Sequence, residues 1–319
     1  MIVNSSFQPA WWLKNRHAQT LWPSLFRRRP DIPLKRERLE LTDGDFLDLD
    51  WAEENNGPLV LILHGLEGNS HSHYARPLIQ HLSTQGLHPV LMYFRGCSGE
   101  ANRLPRAYHS GETGDLAQVM QHLMSRYPQK QIFAIGFSLG GNVLLKWLGE
   151  TGRDNPLNAA AAVSVPFDLA NAANKLNHGF ARLYQHHLLN KLQESLRHKI
   201  ALVDMPMDVQ GALQCKSIRS YDDLVTAPLH QFRDAEDYYR QSSSRYYLKT
   251  ITKPTLIIHA EDDPFMTRMA IPKPSELSAA VTLELSRHGG HVGFIGGRQA
   301  CKPVYWLEQR LADYLLSFR

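Results

Sequence analysis

The sequence lacks the long apolar runs and cysteine clusters that mark several classes of protein. No stretch approaches the roughly 18 uninterrupted apolar residues of a membrane-spanning helix, and the N-terminus lacks the basic and then apolar order of a secretion signal. No transmembrane segment is therefore expected. Its 3 cysteines, Cys97, Cys215 and Cys301, have neither disulfide nor zinc-ligand spacing. We therefore expect a cytoplasmic protein in a reducing compartment, without a metal or another cofactor.

The chain also lacks a strong excess of charge. Its 35 Lys and Arg against 31 Asp and Glu give a formal net charge of +4, with both signs interspersed. The one compact basic run, Arg27-Arg28-Arg29, is interpreted as a solvated loop, the alternative being contact with an anion or a membrane surface. Because no nucleic-acid-binding motif accompanies it, no nucleic-acid partner is expected.

What the sequence does contain is a set of short, continuous apolar runs bounded by turn residues. Such runs are typical of strands that are buried on both faces, as in a parallel sheet covered by helices. Amphipathic helical patterns, for example at 74–84 and 115–126, alternate with them. This alternation predicts an α/β protein with a mostly parallel, doubly wound sheet. The apolar runs lie at 59–63, 90–94, 132–135, 159–165 and 255–258.

Two segments depart from this rhythm. Residues 39–51 alternate in polarity around a turn and predict a half-buried hairpin, whose four aspartates we interpret as a polar turn and solvent face rather than a calcium loop. Residues of about 167–247 hold no buried strand and predict a helical cap inserted after the sixth strand. We expect one domain over 1–319, with an N-terminal arm of about 1–35 and a closing helix near 304–316. The four aspartates are Asp43, Asp45, Asp48 and Asp50.

The sharpest motif is Gly136-Phe137-Ser138-Leu139-Gly140, which follows an apolar run and leads into a helical pattern. A strand, a Gly-x-Ser-x-Gly turn and a helix in this order form a nucleophile elbow. The tight turn leaves no room for neighbouring side chains, so glycine is needed at 136 and 140. Ser138, held at a helix N-terminus, is therefore the predicted nucleophile.

A reactive serine needs a base, and the base needs an acid that holds it in one tautomer. In hydrolases with such an elbow, the acid follows a late strand and precedes the histidine in the chain. Glu261, Asp262 and Asp263 all follow the apolar run at 255–258. A small residue commonly lies three positions before the acid, so the place of Ala260 favours Asp263, with Asp262 as the alternative.

The base is expected in the loop after the last strand, where His288 and His291 compete. His291 follows two glycines that would let the loop bend over the nucleophile. In hydrolases with such an elbow, the catalytic histidine is typically preceded by Gly-Gly or Gly-His. His291 is therefore the predicted base, and His288 is interpreted as a loop residue.

An oxyanion hole needs two backbone N–H donors, one after the nucleophile and one in the loop after the third strand. Leu139 supplies the first and Leu66, in His64-Gly65-Leu66-Glu67-Gly68, the predicted second. His64 is interpreted as a brace of that loop. Cys97 follows another strand at the same sheet edge, but it lacks the elbow geometry and is interpreted as a buried or lining thiol.

Taken together, several stretches resemble the YheT-like family of the AB-hydrolase superfamily, whose members are described as esterases or hydrolases. The resemblance covers nearly the whole chain and implies an α/β-hydrolase fold with charge-relay residues at Ser138, Asp263 and His291, in agreement with the choice made from the residues. The stretches that carry it are His17-Ala18-Gln19-Thr20-Leu21, His64-Gly65-Leu66-Glu67-Gly68, Phe94-Arg95-Gly96-Cys97-Ser98-Gly99-Glu100, Tyr108-His109-Ser110-Gly111-Glu112-Thr113, Gly136-Phe137-Ser138-Leu139-Gly140-Gly141-Asn142, Asp262-Asp263-Pro264-Phe265 and Gly289-Gly290-His291-Val292-Gly293-Phe294.

The expected activity is hydrolysis of a carboxylic ester through an acyl-enzyme, with a small-molecule ester of short to medium acyl chain or a lipid-like ester as substrate. Two alternatives stay open. An acyltransferase or ester synthase would use the same triad, although the His-x-x-x-x-Asp motif of some relatives is not matched, because five residues separate His109 from Asp115. A non-catalytic binding protein on a hydrolase fold is the other.

Overall fold

The centre of the molecule is one twisted sheet. The computed structural model describes residues 1–300 and 302–319, so Cys301 lies outside the described residues. Within them the main sheet has nine strands, and a separate antiparallel pair is formed by β10 (Ile295–Gly296) and β11 (Val304–Tyr305). The nine are β1 (Ile2–Asn4), β2 (Lys35–Glu40), β3 (Phe46–Trp51), β4 (Leu59–Leu63), β5 (His88–Met92), β6 (Ile132–Phe137), β7 (Ala159–Val163), β8 (Thr255–Ala260) and β9 (Val281–Ser286).

The strand order across the sheet is β1-β9-β8-β7-β6-β4-β5-β3-β2. All neighbours from β1 to β5 are parallel, while β3 and β2 pair antiparallel at one edge. The mostly parallel, doubly wound sheet predicted from the apolar runs is confirmed. Because parallel strands end at the same edge, the loops that follow β4, β6, β8 and β9 meet above it.

Helices cover both faces of the sheet. Side chains of β4 alternate between two apolar clusters: Leu59, Leu61 and Leu63 lie in one, and Val60 and Ile62 in the other. This alternation explains why the run is apolar throughout, since each face packs against helices. The helices are α1 (Arg16–Phe26), α2 (Ala75–Thr84), α3 (Gly114–Arg126), α4 (Leu139–Thr151), α5 (Leu169–Leu176), α6 (Ala181–Ile200), α7 (Val209–Gln214), α8 (Ile218–Tyr221), α9 (Ala227–Leu229), α10 (Ala235–Ser242) and α11 (Trp306–Leu316).

Several helices begin at side chains that accept hydrogen bonds from the first free N–H groups. Asn15 caps α1 in this way, Asp168 caps α5 and Asp234 caps α10. Among the helices of the described residues, none combines the length and the apolar character needed to cross a bilayer.

The helices α5 to α10 lie between β7 and β8 and form the segment called the cap below. These helices lie in the segment that the sequence predicts to be helical. The number of strands that precede the cap, however, differs from the expected six. The strand β1, at the start of the expected N-terminal arm, pairs in parallel with β9, so the cap follows the seventh strand rather than the sixth. Three residues are too few for a periodic signal, and only the pairing partner makes this segment a strand.

The expectation that the hairpin aspartates face solvent is wrong for three of them. Asp45, Asp48 and Asp50 are all at most 4% exposed. All six residues of β3, which include Asp48 and Asp50, are buried. Arginine side chains compensate the buried charges, because Arg36 pairs with Asp50 at 2.7 Å and Arg38 with Asp48 at 3.0 Å.

The basic run at 27–29 is solvated only in part. The Arg27 guanidinium pairs with Glu308 at 2.7 Å and lies 3.7 Å from the centre of the Tyr305 ring. Arg28 and Arg29 are exposed. Arg27 therefore connects the end of α1 to α11. The interpretation of the whole run as a solvated loop missed this contact.

Candidate active site

Ser138 lies at the turn between β6 and α4 in a backbone conformation with φ 50° and ψ −116°. Residues other than glycine rarely adopt such a positive φ, so the surrounding structure has to stabilise this turn. A Cβ on Gly136 would lie 2.6 Å from the Gly140 carbonyl oxygen, and one on Gly140 would lie 2.4 Å from the carbonyl oxygen of His64. Glycine is therefore required at both positions, as the elbow motif predicts.

The serine, histidine and acid selected from the sequence come together at the carboxyl edge of the sheet. His291 Nε2 lies 2.9 Å from Ser138 Oγ, and His291 Nδ1 lies 2.8 Å from Asp263 Oδ2. A carboxylate can only accept, so Nδ1 carries the hydrogen and Nε2 is free to accept from the serine hydroxyl. Asp263 is only 2% exposed and also accepts a hydrogen bond from the Phe265 N–H at 2.8 Å.

The ring of His291 is held by packing as well as by hydrogen bonds. It stacks on the Phe265 ring with 4.0 Å between ring centres and an interplanar angle of 2°. Its backbone N–H donates to Thr20 Oγ1 of α1 at 2.9 Å. The adjoining Gly290 has φ 59°, and a Cβ there would lie 2.6 Å from the Arg16 carbonyl oxygen. The N-terminal segment thus packs against the loop that carries His291. Nothing in the sequence indicated that Thr20 contacts this loop.

The two neighbouring aspartates after β8 have different hydrogen-bond partners. Whereas Asp263 faces His291, Asp262 accepts from the Gly290 N–H at 3.0 Å and lies 3.3 Å from His288 Nδ1. Burial raises the pKa of Asp262. Asp262 and His288 therefore brace the loop that carries His291, and neither contacts Ser138.

The loop after β4 approaches Ser138 from the other side. A Cβ on Gly65 would lie 3.4 Å from Ser138 Cβ. The Gly65 N–H donates to Tyr74 Oη at 2.8 Å and the Glu67 N–H to Tyr108 Oη at 2.8 Å. Among the described residues, the Leu66 N–H between them has no hydrogen-bond partner, and neither has that of Leu139 at the start of α4. These are the two donors predicted to face an oxyanion.

His64 supports this loop from below. The Phe94 N–H donates to its Nε2 at 3.1 Å, and its Nδ1 therefore donates to the Gly65 carbonyl oxygen at 2.7 Å. Complete burial lowers the pKa of His64 to about 4, so the ring stays neutral near pH 7. The interpretation of His64 as a brace is confirmed by both contacts.

A cavity of about 1420 Å³ opens above Ser138 and His291, between the sheet edge and the cap. This volume exceeds the range of roughly 300 to 1,000 Å³ typical of small-molecule sites. The cap contributes a largely apolar wall, including Leu169, Leu176, Leu188, Leu192, Leu196 and Val225.

Comparison with known proteins agrees with this geometry. The profile of the α/β-hydrolase fold family matches residues 58–297. The chain belongs to the α/β-hydrolase family. It is 44% identical to "Putative esterase YheT" of Escherichia coli K12, over 99% of this chain and 94% of that protein, and is thus a YheT-like member.

More distant relatives of this α/β-hydrolase include "Phospholipase ABHD3" of Mus musculus, at 33% identity over 93% of this chain and 75% of that protein. Among solved structures, the Pyrococcus furiosus esterase Pf2001 superposes with a TM-score of 0.59 at 18% identity, over 92% of this chain and 95% of that chain. At that identity the likeness shows the fold alone.

Cys97 of this α/β-hydrolase lines the same cavity, but its chemistry differs from that of Ser138. Burial raises the pKa of its thiol well above the usual range. The reactive form of cysteine is the thiolate, so the environment of Cys97 disfavours attack on a substrate. The interpretation of Cys97 as a lining thiol agrees with its place among the cavity residues.

A second polar cluster of the α/β-hydrolase includes two residues that line the cavity, His109 and His230. Within the described part of the chain, His109, Glu112 and His230 are the three residues whose potential metal-ligand atoms all lie within 4.8 Å of one another. The Glu112 carboxylate already accepts from two backbone N–H groups at the start of α3 and pairs with Arg106. His109 Nδ1 accepts from the Gly111 N–H at 3.1 Å, so its hydrogen is on Nε2. These bonds compete with metal binding.

Proposed function

We propose that the chain is a serine hydrolase that cleaves carboxylic esters with Ser138 as nucleophile, His291 as base and Asp263 as the acid that orients the base. The observation that carries the proposal is the unbroken hydrogen-bond chain from Ser138 Oγ through both nitrogens of His291 to Asp263 Oδ2, at 2.9 and 2.8 Å. This is the arrangement that activates a serine hydroxyl.

The reaction follows from these contacts. Ser138 Oγ attacks the ester carbonyl carbon while its proton passes to His291 Nε2, and the tetrahedral oxyanion accepts from the Leu66 and Leu139 N–H groups. The imidazolium then gives its proton to the departing alcohol, which leaves an acyl group on Ser138. Water, deprotonated by the same histidine, attacks the acyl carbon; the bond to Ser138 Oγ then breaks, the imidazolium returns its proton to Oγ, and the carboxylic acid is released. Asp263 stabilises the imidazolium in both halves.

Ester hydrolysis is also the activity that the names of the relatives suggest. Besides the esterase and the phospholipase, a yeast relative with 29% identity over 82% of this chain is named monoacylglycerol lipase. The apolar cap wall of the cavity suits an acyl chain, since its burial removes apolar surface from water. We therefore propose an ester of a short to medium acyl chain, or a lipid-like ester, as the substrate.

Two assays on the whole chain test the proposal. The wild type is expected to hydrolyse p-nitrophenyl esters and to bind a fluorophosphonate probe covalently. Ser138→Ala should lose labelling and at least about a thousandfold of kcat. The matched control is Ser24→Ala, because Ser24 lines the mouth of the same cavity and is exposed. Retention of most activity in Ser138→Ala would refute the proposal.

A further inference from the structure

The residue that follows Leu66 connects the loop after β4 to the cap. Tyr108 Oη donates to Glu67 Oε1 at 2.7 Å, and Ser195 Oγ of α6 donates to Glu67 Oε2 at 2.5 Å. The Glu67 N–H in turn donates to Tyr108 Oη at 2.8 Å. One side chain therefore joins the loop that carries Leu66, the segment before α3 and the longest helix of the cap.

The backbone of Glu67 needs such support. Its φ is 49°, in the left-handed region that residues other than glycine and asparagine rarely occupy. The Leu66 N–H belongs to the Gly65–Leu66 peptide, one peptide unit before the one that carries the Glu67 N–H. A change in the torsions at Glu67 would therefore shift the short loop that holds this donor. The Tyr108 ring that anchors Glu67 is itself fixed, because it stacks on Phe94 with 5.3 Å between ring centres.

We propose that Glu67 is a positioning residue for ester hydrolysis, which holds the Leu66 N–H in place for the oxyanion and ties that donor to the cap through Ser195. The inference rests on the proposed function of Ser138. It goes beyond that function because it makes the oxyanion site depend on contact between the cap and the loop. The oxyanion donor is then fully aligned when α6 lies against Glu67.

Hydrogen bonding, rather than negative charge, is the basis of this role. A carboxylate charge close to a developing oxyanion opposes its formation, and two hydroxyl donors moderate that charge here. Glutamine has the same shape, and its amide can accept from Tyr108 and donate to Ser195 Oγ. The conservative variant should therefore keep the loop in place, whereas alanine removes both contacts.

The test compares Glu67→Ala and Glu67→Gln in steady-state hydrolysis and in binding of a trifluoromethyl ketone, whose adduct with Ser138 places an oxyanion in the same site. Glu67→Ala should lose about 10- to 100-fold in kcat with KM within about threefold, since a misaligned donor costs less than the 10²- to 10³-fold of a deleted one. Affinity for the ketone should fall in proportion to kcat/KM. Glu67→Gln should stay within about threefold of the wild type.

Ser195→Ala tests the link to the cap and leaves the Tyr108 contact intact. We expect a loss of about three- to tenfold in kcat, and the double variant with Glu67→Ala should be no worse than Glu67→Ala alone, because both act through one contact. Asn190→Ala is the control, since Asn190 is an exposed residue of α6 outside the lining of the cavity.

Unchanged kcat and ketone affinity in Glu67→Ala would overturn the inference, even if the melting temperature falls. So would a Glu67→Gln variant as impaired as Glu67→Ala, because charge would then be the cause. Should Glu67→Ala fail to fold, a Ser195→Ala enzyme identical to wild type overturns the link. Failure of the proposed function is a separate outcome, namely no labelling of wild-type Ser138 by fluorophosphonate.

Discussion

The hydroxyl of Thr20 accepts a hydrogen bond from the backbone N–H of His291 at 2.9 Å, across 271 residues of sequence. Thr20 Oγ1 donates in turn to the Arg16 carbonyl oxygen at 2.8 Å, so its direction is fixed within α1. The N-terminal segment is thus part of the support of the proposed base, although it lies outside the matched part of the family profile.

Thr20→Val should lower kcat by roughly tenfold, because a buried N–H left without a partner costs about 1 to 3 kcal/mol and His291 would shift to recover one. Thr20→Ser keeps the acceptor and should retain wild-type kcat. Both are measured with a p-nitrophenyl ester under saturating substrate. Equal activity of the valine and serine variants would show that the contact does not orient His291.

Replacing the two adjacent aspartates should separate their roles. Asp263→Asn should reduce kcat by roughly 10³- to 10⁴-fold, since an amide in the place of the acid favours the wrong histidine tautomer. Asp262→Asn keeps an acceptor for the Gly290 N–H and should lose no more than about tenfold.

The same p-nitrophenyl assay, run on both variants at equal protein concentration, measures this difference. Circular dichroism of each variant serves as the control for folding. A greater loss in Asp262→Asn than in Asp263→Asn would reverse the assignment and make Asp262 the acid of the triad.

The elbow glycines should be intolerant of even one methyl group. Gly140→Ala would bring a Cβ within 2.4 Å of the His64 carbonyl oxygen, so we expect a loss of at least about 3 kcal/mol in the free energy of unfolding or no folded protein. Gly44→Ala is the control, because a φ of 85° would be strained for alanine but nothing lies within 4 Å of the added Cβ. It should cost about 1 to 2 kcal/mol in urea unfolding. Similar losses in the two variants would contradict the steric explanation.

Stability should fall on mild acidification because neutral histidines are buried. Burial lowers the pKa of His259 to about 4 from its usual value of 6.5. A lowered pKa in the folded state means that the unfolded chain binds the proton first, so this contribution is complete above pH 6.5 and is lost as the pH falls from 6.5 toward 4.

Removing one such group should make the pH dependence shallower. His259→Leu has a similar volume and cannot titrate, so the slope of unfolding free energy between pH 6.5 and 4.5 should decrease by up to about 1.4 kcal/mol per pH unit. Urea unfolding at several pH values measures it. His178→Leu is the control, since His178 is exposed. An unchanged slope in His259→Leu would contradict the prediction.

Much of the molecule follows from local pattern. Continuous apolar runs predict strands buried on both faces, and the elbow requires glycine beside Ser138, because burial and steric crowding act on residues that are close in the chain. The loss of strand rhythm after residue 167 predicts helices there, and the helices α5 to α10 lie between β7 and β8. The order of nucleophile, acid and base along the chain left three carboxylates as candidates for the acid and two histidines as candidates for the base.

The rest depended on residues that meet only after folding. Local pattern favoured Asp263 through Ala260 but left Asp262 open, because both follow the same strand. Only the packed fold shows that Asp263 contacts His291 Nδ1 and that Asp262 contacts the Gly290 N–H. The strand character of Ile2–Asn4 comes from its neighbour β9. The buried charge of Asp48 depends on Arg38 of the neighbouring strand β2, and the contact of Glu67 with Ser195 depends on the position of the cap. Hydrogen bonds and ion pairs between distant segments have no period along the chain, so their partners are defined by the packed fold.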